Sequence, residues 1–165
     1  MWKILDNDRG LSLIELVVSL SILIILSSII LPSAQMASKR SKEIELKRNL
    51  REIRGAIDDY RKIYDRGVEE KKIIPSQNKP GGYPEKLENL VKGDNVNGYL
   101  GYEKKFLRRI PKDPFYKDEG DDQTGWGLRS HEDEPDTESW GGQDVFNVYS
   151  KSEATAIDGT KYKDW

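Results

Sequence analysis

Residues 11–31, LSLIELVVSLSILIILSSIIL, form a stretch of twenty-one in which only the serines and Glu15 are polar. At about 1.5 Å of rise per residue, a helix of that length covers roughly 31 Å, enough for a hydrocarbon core of about 30 Å. After Pro32 the pattern changes. Leu50, Ile53, Ile57, Tyr60 and Tyr64 recur at alternating steps of three and four, one apolar stripe on an otherwise charged segment. The stripe predicts a helix that turns one side to a core, carries Gly55 as a weak position and stops at Gly67. Pro32, between the two patterns, removes one backbone donor and is expected to bend or loosen the helix there. Residues 68–82 read as a loop punctuated by Pro75, Pro80 and Gly81-Gly82. Pro84 opens a segment predicted to be a short helix, with Leu87, Leu90 and Val91 on one side. Residues 125–130 and 144–150 are rich in aromatic and branched side chains and predict two strands, with Trp126, Phe146 and Tyr149 as core candidates. Trp140 and Trp165 are candidates for the edges of that core.

Glu15 is the anomaly in the apolar run. A carboxylate near the bilayer centre costs on the order of 2.5–3.5 kcal/mol, so one kept in such a segment calls for a partner. The ten residues before the run, MWKILDNDRG, are polar and end in glycine, and Glu15 is the fifth residue after Gly10. This arrangement resembles the class III signal of type IV pilins and type II secretion pseudopilins, which prepilin peptidase cuts after the glycine. The resemblance implies cleavage between Gly10 and Leu11 and N-methylation of Leu11, which stands where the family usually has Phe. It also puts Pro32 at the twenty-second position of the cut chain, the place of the family's kink-forming proline. Glu15 would then pair with the N-terminal amine of a neighbouring subunit and hold the assembling helices in register. Two other readings fit less well. A secretory signal has an apolar region of about 7–15 residues followed by a small-residue cleavage site, whereas Pro32-Ser33-Ala34 puts Pro where a small residue belongs. An uncleaved anchor explains the length of the run but not a carboxylate five residues past a glycine.

A second resemblance lies further on. The segment from Tyr83-Pro84 through the spaced leucines, followed by Phe106-Leu-Arg-Arg-Ile-Pro-Lys-Asp-Pro-Phe115, is similar in order and content to the major pseudopilin (G subunit) of type II secretion systems. Leu107, Arg109, Ile110, Pro111, Asp113, Pro114 and Phe115 keep that family's pattern. The implied architecture is α+β and type IV pilin-like: a long N-terminal helix, transmembrane in its first half, packed on a small antiparallel sheet. The implied divisions are a leader at 1–10, an assembly helix at 11–31, the periplasmic half of the helix at 32–67 and a globular domain at 68–165. The implied partners are further copies of the chain in a filament, other pseudopilins, prepilin peptidase and an inner-membrane secretion platform. The implied location is the bacterial inner membrane, single-pass, with the C-terminal domain in the periplasm. Charge does not decide that topology, because Lys3 and Arg9 precede the span while Lys39, Arg40 and Lys42 follow it. A type IV pilus subunit and a monomeric membrane-anchored binding module are the alternatives. The second would keep residues 1–10.

Composition narrows the chemistry. The chain is 34% charged with a formal net charge of −2, which gives no general basis for nucleic-acid binding. Charge is uneven: residues 39–54 hold seven basic and three acidic side chains, and residues 118–138 hold nine acids and one Arg. The ordinary reading is a solvated face, and the other is a meeting of the two regions across subunits. Cysteine is absent, so packing alone holds the domain. The pseudopilin resemblance also implies Ca²⁺ in the loop after the last strand. In the tail, Ser152, Glu153, Asp158, Thr160 and Asp164 are oxygen donors, with Asp158 foremost, while Lys161 and Lys163 would repel the ion. Lysine–carboxylate contacts are the alternative way to hold that tail. His131, the single histidine, lies among carboxylates and reads as a solvated loop residue, and no catalytic order of residues appears, so the chain reads as a structural protein and not an enzyme.

Overall fold

The structure is a computed structural model of the 165-residue chain that describes residues 12–75, 81–116 and 124–165, the side chains of residues 29–32 excepted. It divides into two units, Met1–Arg40 and Ser41–Trp165. Helix α1 runs Leu13–Glu69, and α2 is a single turn, Asn89–Lys92. Strands β1 (Trp126–Arg129) and β2 (Asn147–Ser150) pair antiparallel in the register Trp126↔Ser150, Gly127↔Tyr149, Leu128↔Val148 and Arg129↔Asn147. A 3-10 turn, Tyr162–Asp164, closes the described chain. The fold is α+β, a long N-terminal helix with a small antiparallel sheet.

In the second unit the core forms around the α1 stripe. Leu46, Leu50, Ile53, Ile57, Tyr60 and Tyr64 are all buried, extending the predicted stripe by one turn. Against them pack Leu87, Leu90, Val96, Leu107, Trp126, Val145, Val148 and Tyr162. Burying such a side chain fully contributes about 1.5–3 kcal/mol, so the stripe supplies much of what holds a domain without disulfides. The sheet is thickened on its other side by Tyr149, whose ring lies across the paired Gly127. A Cβ at Gly127 would stand 2.1 Å from Tyr149 Cζ, so only glycine fits beneath that ring.

Three local expectations are corrected. Helix α1 does not stop at Gly67 but runs to Glu69, where Lys71 takes the left-handed conformation (φ 56°). Lys71 N–H donates to Val68 O and Lys72 N–H to Gly67 O, each at 2.9 Å, the bond pattern of a Schellman cap. Gly67 is there for space: a Cβ would lie 2.5 Å from Ile73 Cδ1, and buried Ile73 folds back over it. The helix expected from Pro84 shrinks to Asn89–Lys92, because the Pro84 carbonyl accepts Val145 N–H (2.8 Å) and joins the sheet region instead of starting a helix. Phe146, expected in the core, is 46% exposed. Period-two alternation buries Val145 and turns Phe146 to the opposite side, where its ring meets Tyr83 edge-on at 5.1 Å. At Pro32, by contrast, the backbone remains helical.

Ile53 and Gly55 make a paired test of this packing. Ile53→Ala is expected to cost about 2–5 kcal/mol, since Ile53 is fully buried. Gly55 has no atom within 4 Å of a built Cβ, and Gly55→Ala is expected to gain about 0.5–1 kcal/mol. Denaturant unfolding of the two variants in detergent reads both signs.

Candidate functional site

The first unit is the candidate assembly element. From Leu13 to Leu26 the large apolar side chains of α1 are exposed on every side, with Leu13 at 81% and Ile24 at 70%. An 18-residue window of this helix has a mean hydropathy of 2.7, long and apolar enough to cross a bilayer. Three of its serines are made compatible with an apolar surround by back-bonding. Ser19 Oγ donates to Glu15 O (2.7 Å), Ser21 Oγ to Val17 O (2.8 Å) and Ser28 Oγ to Ile25 O (2.7 Å). The Glu15 carboxylate is different. It is exposed and makes no hydrogen bond or ion pair with the described residues. Gly10 and Leu11 lie outside the described residues, as does the side chain of Pro32.

In the second unit the polar side chains converge on the tail. Glu43, on α1, accepts both Ile157 N–H and Tyr162 O–H at 2.8 Å through one carboxylate oxygen. Tyr162 is fully buried, stacked on Phe115 at 4.0 Å and edge-on to Trp165 at 5.0 Å. Burial and the Glu43 carboxylate push its hydroxyl well above the ordinary tyrosine range. Three turns along α1, Arg54 donates to Asn147 Oδ1 (2.9 Å), Val148 O (2.9 Å) and Trp165 O (2.6 Å), fastening β2 and the tail to the helix. Burial, with Arg129 nearby, pushes the Arg54 guanidinium below its ordinary value. Lys47 Nζ lies 4.0 Å from the centre of the Trp165 ring. Glu43, Lys47 and Arg54 thus form one flank of α1 beside the stripe. Sequence reading missed them as a group, although their shared helix face was the available signal.

The residues proposed from sequence as calcium donors have other occupations. Asp158 Oδ1 accepts Thr160 N–H (3.0 Å) and Thr160 O–H (2.6 Å), which hold its carboxyl below the ordinary range. Ser152 Oγ accepts Ala154 N–H (3.4 Å), and Trp165 Nε1–H donates to Thr160 Oγ1 (2.7 Å). Lys163 pairs with Glu138 at 2.8 Å. Among the described residues no three carboxylates or histidines gather as ligands, so Glu153, Asp158 and Asp164 do not form one site. This donor set does not fit an ion that takes six to eight oxygens.

The Ile110-Pro-Lys-Asp-Pro114 segment is built into the core. Asn49 Nδ2 donates to Lys112 O (3.0 Å), and Trp126 Nε1 to Pro111 O (2.7 Å). Buried Asp113 accepts Ser150 O–H and Phe115 N–H, yet burial still raises its carboxyl above the ordinary range. His131 corrects its sequence reading, because it is a tethered residue and not a solvated one. Buried Asp144 takes His131 N–H at 3.0 Å and contacts ring Nδ1 at 2.8 Å, using both oxygens. Gly81 passes so close that a Cβ would lie 2.3 Å from Asp144 Oδ2. The pair closes the base of the loop that joins β1 to β2.

The comparisons bear on the first unit. Residues 5–31 match the family described as Prokaryotic N-terminal methylation motif. No curated protein and no solved structure matches the chain. The match takes in Gly10, Leu11 and Glu15 and stops within α1, so the chain carries a prepilin-type N-terminal segment joined to an α+β domain.

Two outcomes test the second unit. Glu43→Ala removes the acceptor of a buried hydroxyl and of a backbone N–H, and is expected to cost about 1–3 kcal/mol; Glu43→Gln, which keeps an oxygen acceptor, costs less. Calcium or a chelator is expected to leave the melting temperature of the unmodified chain unchanged. The pH dependence of unfolding tests Asp113. Its folded pKa is raised, so its stabilising contribution is present below the unfolded value of about 4 and is lost as pH rises through the folded value. Asp113→Asn is expected to remove that part of the slope.

Proposed function

We propose that the chain is the precursor of a pseudopilus subunit, cut by prepilin peptidase between Gly10 and Leu11, methylated at Leu11 and polymerised through its N-terminal helix to drive protein export by a type II secretion system. The observation that carries the reading is the prepilin-type segment at residues 5–31 placed directly on a helix whose apolar surface is exposed all round. Such a surface requires lipid or neighbouring helices. The unpaired Glu15 supports the same reading. In a filament the new amine of Leu11 on a neighbour is the counter-charge, and a misregistered helix leaves the carboxylate unpaired in an apolar surround. Pro32 then stands where the helix leaves the membrane.

The choice of a secretion pseudopilus over a type IV pilus rests on Leu107 to Phe115 and on the absence of cysteine. The work assigned to the chain is mechanical, with the ATPase and the inner-membrane platform supplied by other proteins and the C-terminal domain in the periplasm. A monomeric anchored module is the competing reading.

Intact mass and N-terminal sequencing of the protein extracted from its own membranes are expected to show a chain that begins at Leu11, with a methyl group on its amine. A chain that still begins at Met1 removes processing and leaves the anchored module. Glu15→Leu is expected to preserve cleavage and membrane insertion while abolishing multimers. An anchored module would tolerate it.

A further inference from the structure

Two surface segments of the second unit carry opposite charge, and no ion pair among the described residues joins them. Residues 104–112, KKFLRRIPK, hold five basic side chains and no acid, and residues 132–138, EDEPDTE, hold five acids and no base. We propose that the acidic loop 132–138 of one copy docks on the basic ridge 104–112 and Arg48 of the next copy, joining copies head to tail. The proposal deepens the assembly reading above and rests on it.

The basic side is a cleft, not a scatter of lysines. About 400 Å³ of space lies between α1 and the ridge, lined by Arg48, Arg109 and Lys112 together with Glu45 and Glu52. Arg48 and Arg109 are exposed and make no hydrogen bond or ion pair with the described residues. The two glutamates leave the cleft itself with a net charge of only +1, and exposed Lys105 and Arg108 beside it strengthen the positive field. On the acidic side Glu134 and Asp136, flanking Pro135, are exposed and likewise unpaired among the described residues. Asp136 faces a second cavity that holds Arg129, Lys161 and Lys163, but none of these comes within ion-pair distance of it.

The loop is presented by fixed contacts. Arg129 Nε donates to Thr137 O (3.0 Å), Tyr149 O–H to Glu138 O (3.3 Å) and Lys163 pairs with Glu138 (2.8 Å). Asp133 accepts Ser130 N–H (2.6 Å) and Gly141 N–H (3.1 Å). These bonds hold the loop to the sheet and to the tail, and the tail is bound to the Glu43–Lys47–Arg54 flank of α1. Glu45, Arg48 and Glu52 lie on the other flank, roughly half a turn around the helix. No hydrogen bond or ion pair among the described residues joins the loop to the ridge or to Arg48. Patches that are complementary but different make a heterologous contact, which repeats without closing unless the rotation forms a ring. Exposed charges of this kind set register and partner choice more than affinity.

The chain has no cysteine, so an introduced pair reports without background. Full-length protein carrying Arg109→Cys and Glu134→Cys is oxidised in the membranes of its own cells and run on a non-reducing gel, while amine-reactive crosslinking of the same membranes reads multimers independently. The expected result is a disulfide ladder beyond the dimer in the double variant, at most a dimer in either single variant, and loss of the ladder when Arg48→Glu is added. Amine-linked multimers without a disulfide ladder overturn the docking while the assembly reading stands. Absence of both overturns the assembly reading as well. A disulfide to a protein of different mass overturns the choice of a second copy as the occupant.

Discussion

A helix that is apolar on every side in one stretch and on one side only in the next must be covered by two different things. In α1 the change falls between the stretch that ends near Leu26 and the stripe that begins at Leu46. The stripe is covered by the chain's own sheet, loops and tail. The first stretch is covered by nothing among the described residues, and about 25 cal/mol per Å² of exposed apolar surface disfavours leaving it in water. That imbalance is what the proposed assembly would relieve. It also explains why Ser19, Ser21 and Ser28 bond to carbonyls of their own helix, since a hydroxyl without a partner is expensive in an apolar surround.

Covering the stripe is itself a problem of closure. A two-stranded sheet of four-residue strands is too small to bury a helix. The deficit is made up by irregular backbone, which brings unsatisfied carbonyls and N–H groups with it. The polar side chains on the flanks of α1 answer this. Asn49 takes the Lys112 carbonyl, Arg54 takes those of Val148 and Trp165, and Glu43 accepts the Ile157 N–H. One helix therefore supplies both the apolar surface and the hydrogen-bonding groups that let loops lie on it. Calcium is not needed to gather the tail when Glu43 and buried Tyr162 already do so.

What could be read from the sequence follows from what is periodic. The apolar run and the stripe from Leu50 to Tyr64 obey simple repeats and appear where those repeats place them, and the two strands, read from their aromatic and branched content, form within the expected spans as Trp126–Arg129 and Asn147–Ser150. The misreadings fall where a residue's role depends on something distant. Gly67 resembles a helix stop, but its reason is Ile73 folding over it. Pro84 resembles a helix start, but its carbonyl belongs to Val145. Phe146 looks like core because it is aromatic, yet alternation with Val145 turns it outward. Asp144 and His131 sit thirteen residues apart with no motif to link them, so their pairing was not visible.

Charge in this chain works at two depths. In the proposed filament Glu15 would lie in an apolar surround, where the difference between a paired and an unpaired carboxylate is several kcal/mol and its partner's position is correspondingly strict. The ridge and the acidic loop lie in water, where each pair contributes at most about 1 kcal/mol and salt weakens it. Glu15, once enclosed by neighbouring helices, would therefore have the energy to reject a wrong register of the helices, and the surface charges would not. What the surface charges supply is direction. A loop that is acidic and a cleft that is basic cannot be exchanged, so a copy added by them points the same way as the one before. Register from the helix and direction from the domain are separate requirements of an open-ended assembly, and in the proposed filament the two kinds of charge would meet them at different places in the chain.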